Sequence, residues 1–441
     1  MPTSDCDVLI VGAGLAGLSA AYHLKRRSYR LIERETSAGG LCRSVREGGF
    51  TFDHTGHLLH MRRPEIRSLV FSLIGEQALL RVERRAGVYS HSTYTDYPFQ
   101  VNTHGLPQPV VRDCVTGFAE TLQTRGSVDV DPSFREWIVA TFGHGFARHF
   151  LLPYNTKLFC ADLETMTADW VSWSIPKPSW EDVVRGALGI NRKIFGYNPQ
   201  FYYPAAAGID RLPQAFLRRI CAPEFSTALV SINAARRQAT LSSGERIRFR
   251  TMITTTPLPR LLEQTEGIPR ELGEGGRQLR HVSVLNLNLG FDAPCLQPYH
   301  WIYFPEPAYP FYRVGAYSNL CPASVPAAHS AYYVEISHRP TERLDVGRLA
   351  KQCAAALREV GLIPPTANLS RVCAIEIPCA YVIHDRARRD LLPEALAYLE
   401  RHEIFSIGRY GAWEYSAMED ALWQGRLAAE RASAGATDPA R

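Results

Sequence analysis

DVLIVGAGLAGLSAAYHLKRRSYRLIERETSAGGLCR, residues 7–43, is the stretch on which the fold turns. Its first five residues are a short apolar run, the pattern of a parallel strand buried on both faces. Leu15, Leu18, Ala21, Tyr22 and Leu24 then recur at helical spacing over residues 15–27, and YRLIE restores a strand that ends at Glu33. Gly12, Gly14 and Gly17 lie in the turn between strand and helix. Gly12 permits the tight turn, Gly14 lets backbone approach a pyrophosphate, and Gly17 lets the helix pack close on the strand. The helix N-terminus offers free N–H groups and partial positive charge to phosphate. At the end of the second strand, Glu33 is placed to accept both hydroxyls of an adenosine ribose. A βαβ unit with a dinucleotide fingerprint therefore opens the chain.

Composition sets the outer limits. The chain has 441 residues, 46% apolar and 21% charged, with a formal charge of +5. That is long enough for two or three packed units and ordinary for a globular protein. The scattered Lys and Arg argue against a nucleic-acid partner and mildly for an anionic ligand. No run of about 18 apolar residues is present, so no membrane span is expected. The first strand starts too early for a secretory leader. Ten cysteines without CxxC pairs then read as reduced thiols of a cytoplasmic protein. Fourteen histidines without HExxH or Cys/His spacing give no metal site.

Along the chain, residues 63–90 and 108–190 read as mostly helical, with amphipathic stretches around Arg67–Leu80 and Phe134–Leu152. Residues 226–255 become strand-like around a turn at Ser243-Gly244, and 281–337 holds a second strand-rich stretch. Helices are expected at 347–360 and 388–401, a strand at EIFSIG and a last helix over 416–432. The fold class that follows is α/β: a Rossmann-type dinucleotide-binding domain with interleaved helical and antiparallel-sheet substrate domains.

Six residues after Glu33 come Gly39-Gly40-Leu41-Cys42-Arg43. This E-x5-GG-x2-R arrangement resembles the FAD-binding amine oxidase superfamily, where the second glycine pair passes close to the flavin diphosphate. T-F-D-H-T-G-H (51–57), Y-P-F-Q-V-N (97–102), P-Y-N-T-K-L-F (153–159), H-W-I-Y-F-P-E (300–306), P-F-Y-R-V-G-A-Y-S-N (310–319) and G-R-Y-G-A-W-E-Y (408–415) resemble, in order, segments of the UDP-galactopyranose mutases, especially the eukaryotic branch. The related protoporphyrinogen oxidases share the superfamily.

The resemblance implies FAD, in reduced form for activity, held by Gly12, Gly14, Gly17, Glu33, Arg34, Gly39, Gly40, Leu41, Arg43, Gly56, His57, Val230, Gly408, Arg409 and Met418. It implies a nucleotide-diphosphate sugar bound by Tyr97, Asn155, Phe159, Asn198, Trp301, Tyr303, Arg313, Tyr381 and Tyr415. Arg313 would hold the diphosphate, the tyrosines would donate to it, and His57 and Arg409 would lie beside sugar and flavin. A guanidinium suits a diphosphate because it binds bidentately, while phenols add directional donors without charge. NAD(P)H or another reductant would reduce the flavin. On this resemblance the FAD-binding domain takes residues 1–90 and 388–432, a mainly helical substrate or lid region 91–200, a return to the FAD domain with a β-meander 201–280, an antiparallel-sheet substrate domain 281–387, and a tail 433–441.

The sequence departs from the family at several points. S-W-S-I-P-K-P-S-W (172–180) stands where the mutases carry a second diphosphate arginine, leaving Lys177 as a point charge or a different pose. Phe159 replaces a tryptophan, Ala206-Ala207-Gly208 a glycine pair, and Met418-Glu419 an asparagine-containing cap. Lys157 and the tryptophans from Trp170 to Trp180 read as packing, as do His54 and His60. The implied activity is interconversion of pyranose and furanose forms, flavin N5 acting as nucleophile at the anomeric carbon. The alternative is a flavin oxidase or desaturase, for which Arg313 would be dispensable, and a third is a flavin-binding protein without catalysis.

Overall fold

The computed structural model describes residues 3–25, 28–123, 131–171, 175–191, 195 and 199–434. Asn198, the 172–174 part of the departing stretch and residues 435–441 lie outside them.

The expected βαβ unit forms as strand Thr3–Val11, helix Leu15–Leu24 and strand Tyr29–Ile32. Thr3–Val11 pairs in parallel with Tyr29–Ile32 on one side and Arg246–Thr254 on the other. The sheet continues by antiparallel pairing through Gln238–Leu241 to Leu229–Asn233, the expected meander. Arg246–Thr254 also pairs in parallel with Ile404–Ser406, so the last third of the chain completes the first sheet. Helix Met418–Ala434 packs on Leu15–Leu24. A Cβ on Gly425 would lie 2.2 Å from the Ala16 carbonyl oxygen, so only glycine allows this crossing.

The second sheet is built on His281–Phe291, an apolar strand buried along almost its whole length. Ser330–His338 and Leu369–Val382 flank it, both antiparallel. Arg313–Ala316, Trp301–Tyr303, Ala86–Ser90 and Thr93–Asp96 extend it beyond Ser330–His338, with one parallel pairing between Trp301–Tyr303 and Ala86–Ser90. The fold class stands as expected, α/β with one mixed and one largely antiparallel sheet.

Three sequence expectations change. The helix expected across Arg67–Leu80 is Pro64–Ile74, stopped by Gly75 at φ 91°. LLRVE then alternates as strand Leu79–Glu83 against Gln200–Pro204, so the second half of 63–90 is strand. The helical reading of 108–190 holds for Gln108–Gln123, Phe134–Phe146, Leu152–Phe159 and Trp180–Ala187, while the described residues of 160–171 and 175–179 are mostly irregular. Strand Leu369–Val382 has no counterpart in the sequence reading. It is a half-exposed edge strand carrying Pro378, a residue an edge tolerates because no ladder donor is required there.

Candidate active site

The site grows from two loops that touch. Gly39 N–H donates to the Ala13 carbonyl at 2.8 Å, and Gly14 and Gly39 form a parallel bridge. A Cβ on Gly14 would have only the Gly40 Cα near it, at 3.9 Å. The groove beside Gly14 is therefore open, and a side chain there would fill it. A Cβ on Gly12 (φ 98°) would strike the Thr255 hydroxyl, and one on Gly17 the Gly12 carbonyl. Their absence of side chain makes the turn and the helix–strand contact, as expected.

Glu33 is 7% exposed and accepts from the Ala13 N–H at 2.6 Å and the Glu35 N–H at 3.0 Å. Each oxygen retains a lone pair for a ribose hydroxyl. Arg43 donates to the Gly40 carbonyl at 2.8 Å and so braces the second glycine loop. Leu41 packs towards Tyr312 and Ala380 on the second sheet. From the C-terminal side, a Cβ on Gly408 would meet Ala16 at 3.1 Å, and the Gly408 N–H donates to Gln424. Met418 packs on the same core at the start of the last helix. These residues fit a dinucleotide. Arg34 and Val230 do not join them by side chain: Arg34 is exposed beside Glu35, and Val230 is 50% exposed because strand alternation turns its neighbour Leu229 inward instead.

A second group of polar and aromatic side chains is drawn together from the second sheet, the helix Leu152–Phe159 and the C-terminal segment. Arg409 donates to the Ala380 carbonyl (3.2 and 2.9 Å) and the Ser416 carbonyl (2.8 Å). Its guanidinium lies over Tyr415 (4.8 Å) and Tyr381 (5.1 Å), whose rings are nearly parallel at 5.9 Å. Tyr312 donates to the Tyr381 hydroxyl at 3.4 Å, and Tyr154 stands edge-on to Tyr303 at 5.4 Å. Tyr97 packs on Tyr303 at 5.1 Å, and Trp301 donates to the Tyr303 hydroxyl at 3.0 Å. Phe159 is buried behind Tyr381 and against Trp170, so Trp170 supplies the indole bulk that Phe159 lacks. Burial pushes the Tyr381 hydroxyl up to about 12 and raises those of Tyr97, Tyr303 and Tyr312, so these phenols remain protonated donors.

Arg313 lies in the same wall with a partner unforeseen in sequence. Its Nε and Nη2 donate to the two oxygens of Glu335 at 2.5 and 2.8 Å, and Glu335 is 1% exposed. Half of the guanidinium fork is thereby committed. Asn155 is buried and donates to the Leu151 carbonyl, just before the start of its helix. Lys177 is exposed over the Trp137 ring, away from the phenol group. Lys157 donates to the carbonyls of Phe304, Glu306 and Phe311, holding the turn between the strands of Tyr303 and Arg313.

Gly56 lies against Tyr333: a Cβ there would sit 2.3 Å from its hydroxyl. His57 contacts the Thr55 hydroxyl at 3.2 Å, and burial, with His54 and Arg409 nearby, pushes its imidazole down to about 3. His57 is therefore neutral across the physiological range. Tyr154, Tyr312, Glu335 and Gln100 were absent from the sequence expectation. Gln100 is 2% exposed, donates to the Pro176 carbonyl at 3.3 Å, and has no partner for its side-chain oxygen among the described residues.

The first sheet, the paired glycine loops and the closing C-terminal helix define a dinucleotide-binding protein of Rossmann type. Over residues 15–433 the chain matches the flavin containing amine oxidoreductases, and it belongs to that family. A solved structure of reduced UDP-galactopyranose mutase is similar at TM-score 0.92 and 27% identity, covering 98% of this chain and 94% of that one. A putative protoporphyrinogen oxidase from Exiguobacterium shares the fold at TM-score 0.75 and 16% identity, over 98% and 100% of the two chains. The phytoene dehydrogenase of Streptomyces griseus is 36% identical over 102 residues, 22% of this chain and 20% of that protein. Protoporphyrinogen oxidase 2 of Arabidopsis thaliana is 38% identical over 68 residues, 15% and 13%. The chain thus matches a fifth or less of these two relatives' lengths. Among the described residues no helix is long and apolar enough to cross a membrane.

Proposed function

We propose that this chain is a flavin-dependent mutase that interconverts pyranose and furanose forms of a nucleotide-diphosphate sugar. The observation that carries the reading is the gathering of Arg313 and Arg409 with the phenols of Tyr303, Tyr312, Tyr381 and Tyr415. An apolar substrate would want an apolar tunnel, whereas this wall offers two guanidiniums and several hydroxyl donors. The likeness to a reduced UDP-galactopyranose mutase over nearly the whole of both chains supports the same reading.

A reduced flavin held by the glycine loops and Glu33 would supply nucleophilic chemistry at the anomeric carbon. The remaining work falls to side chains. Arg409 provides a positive charge that no carboxylate among the described residues pairs. Arg313, neutralised on one edge by Glu335, presents its remaining N–H donors to a phosphate oxygen, and the phenols complete the cradle that retains the departed nucleotide. Neutral His57 carries one donor and one acceptor, suited to orienting a sugar hydroxyl or a flavin edge without adding charge. NAD(P)H or another reductant supplies the electrons.

The test is anaerobic incubation of the purified flavoprotein with a panel of nucleotide hexoses, with and without dithionite, followed by HPLC. A new isomeric nucleotide-sugar peak only under reduction is the expected result. No conversion of any sugar, with bound flavin still reducible, would favour the oxidase reading.

A further inference from the structure

Outside the cradle and the phenol wall, Asp53, last residue of strand Phe50–Asp53 and 1% exposed, is a buried carboxylate with several hydrogen-bond partners. Its Oδ1 accepts from the Ser44 hydroxyl at 2.6 Å and the Ile209 N–H at 3.2 Å, and its Oδ2 from the Tyr203 hydroxyl at 2.7 Å. Both hydroxyls are fixed in direction. Ser44 accepts from the Asp210 N–H and Tyr203 from the Gly208 N–H, so each turns its own hydrogen to Asp53. The main chain of Asp53 is held as firmly: its N–H donates to the Tyr317 hydroxyl, and its carbonyl lies within 3.4 Å of the Asn286 and Asn288 amides.

Three segments meet at this one residue. Ser44 follows the Gly39–Arg43 loop directly. The 207–209 turn leads to Pro213, which a Cβ on Gly39 would touch at 3.2 Å. The Thr55–His57 loop starts two residues beyond Asp53, with Gly56 pressed against Tyr333. We propose that Asp53 is the positioning residue that holds the second glycine loop, the 207–209 turn and the His57 loop in register around the cofactor. It touches no reacting atom and acts through Ser44, Tyr203 and Ile209. The proposal rests on the cradle alone and is independent of which substrate is turned over.

The experiment uses FAD-loaded protein and no sugar. The rate of FAD release, the flavin midpoint potential and the melting temperature are measured for wild type, D53A, D53N and Y203F. D53A loses all three side-chain bonds and is expected to release FAD at least tenfold faster, with a shifted potential. D53N keeps an acceptor for Ser44 and Ile209 and is expected to recover most of the retention. D53N and Y203F remove the same contact from opposite ends, so the double variant should release FAD no faster than the worse single one. Wild-type release and potential in folded D53A, or a lowered melting temperature alone, would overturn the proposal. If D53A fails to fold, additive effects of D53N and Y203F would do the same.

Discussion

Arg409 has no carboxylate within ion-pair distance among the described residues and spends its donors on the Ala380 and Ser416 carbonyls, whereas Arg313 is bidentate to a buried carboxylate. Holding a cation without a counter-ion costs several kcal/mol, which an anionic ligand can offset. Arg409 is thus the residue whose charge awaits a ligand, and Arg313 donates with its charge already balanced. Arg313→Ala is expected to keep the flavin spectrum and lose about hundredfold in turnover, the scale of removing one donor to developing charge. It also strands Glu335, so the melting temperature should fall. Arg313→Met combined with Glu335→Gln removes both charges and should restore much of the melting temperature while turnover stays low. Thermal melts and single-substrate kinetics on the three proteins separate the two effects. Equal melting of single and double variants would deny Glu335 its place as the counter-ion.

At the scale of elements, glycine does two different jobs that substitution should pull apart. Gly14 borders open groove, so Gly14→Ala should leave the apo protein's melting within a few degrees and weaken FAD binding more than tenfold, as read by fluorescence of released flavin. Gly425 sits where the first and last helices cross, and a side chain there would strike Ala16 and Ser19. Gly425→Val should therefore destabilise the apo protein itself, by about 3 kcal/mol or more from overpacking, measured by urea unfolding. The opening βαβ unit was readable because local apolar runs and glycines specify it without help from the rest of the chain. Leu369–Val382 was not, because an edge strand exposed on one face and interrupted by Pro378 carries little periodic signal. The bend at Gly75 was missed for a related reason: Leu79–Glu83 is a strand only because Gln200–Pro204, over a hundred residues away, pairs with it. The Arg313–Glu335 pair could not be read from the sequence. It exists only once two strands align Arg313 opposite Glu335.

Across the molecule five histidines are stored neutral by burial, and this shapes its response to acid. Burial pushes His57 and His384 down to about 3 and His54, His60 and His300 down to about 4. In the unfolded chain each would take a proton near pH 6.5. As pH falls from about 6.5 towards 4, the unfolded state binds up to five protons that the folded state refuses, so stability falls with pH. Above pH 6.5 both states are neutral at these sites and the contribution is flat. Asp53 works the other way: burial raises its carboxyl to about 6, above the unfolded value of about 3.9. Between those limits the folded state holds one proton the unfolded state lacks, which offsets roughly one of the five and leaves about four taken up on unfolding near pH 5. Urea unfolding at half-unit steps from pH 5 to 8 should show stability climbing steeply to about pH 6.5 and then more gently, because burial pushes Lys157 down to about 7 and the folded state sheds a proton there that the unfolded chain keeps. His300→Asn and His384→Asn should each make the climb shallower by about one proton's slope, roughly 1.4 kcal/mol per pH unit at most. A profile flat from pH 5 to 7 would mean that these imidazoles reach water in the folded state, and with it that the loop carrying His54 and His57 is open.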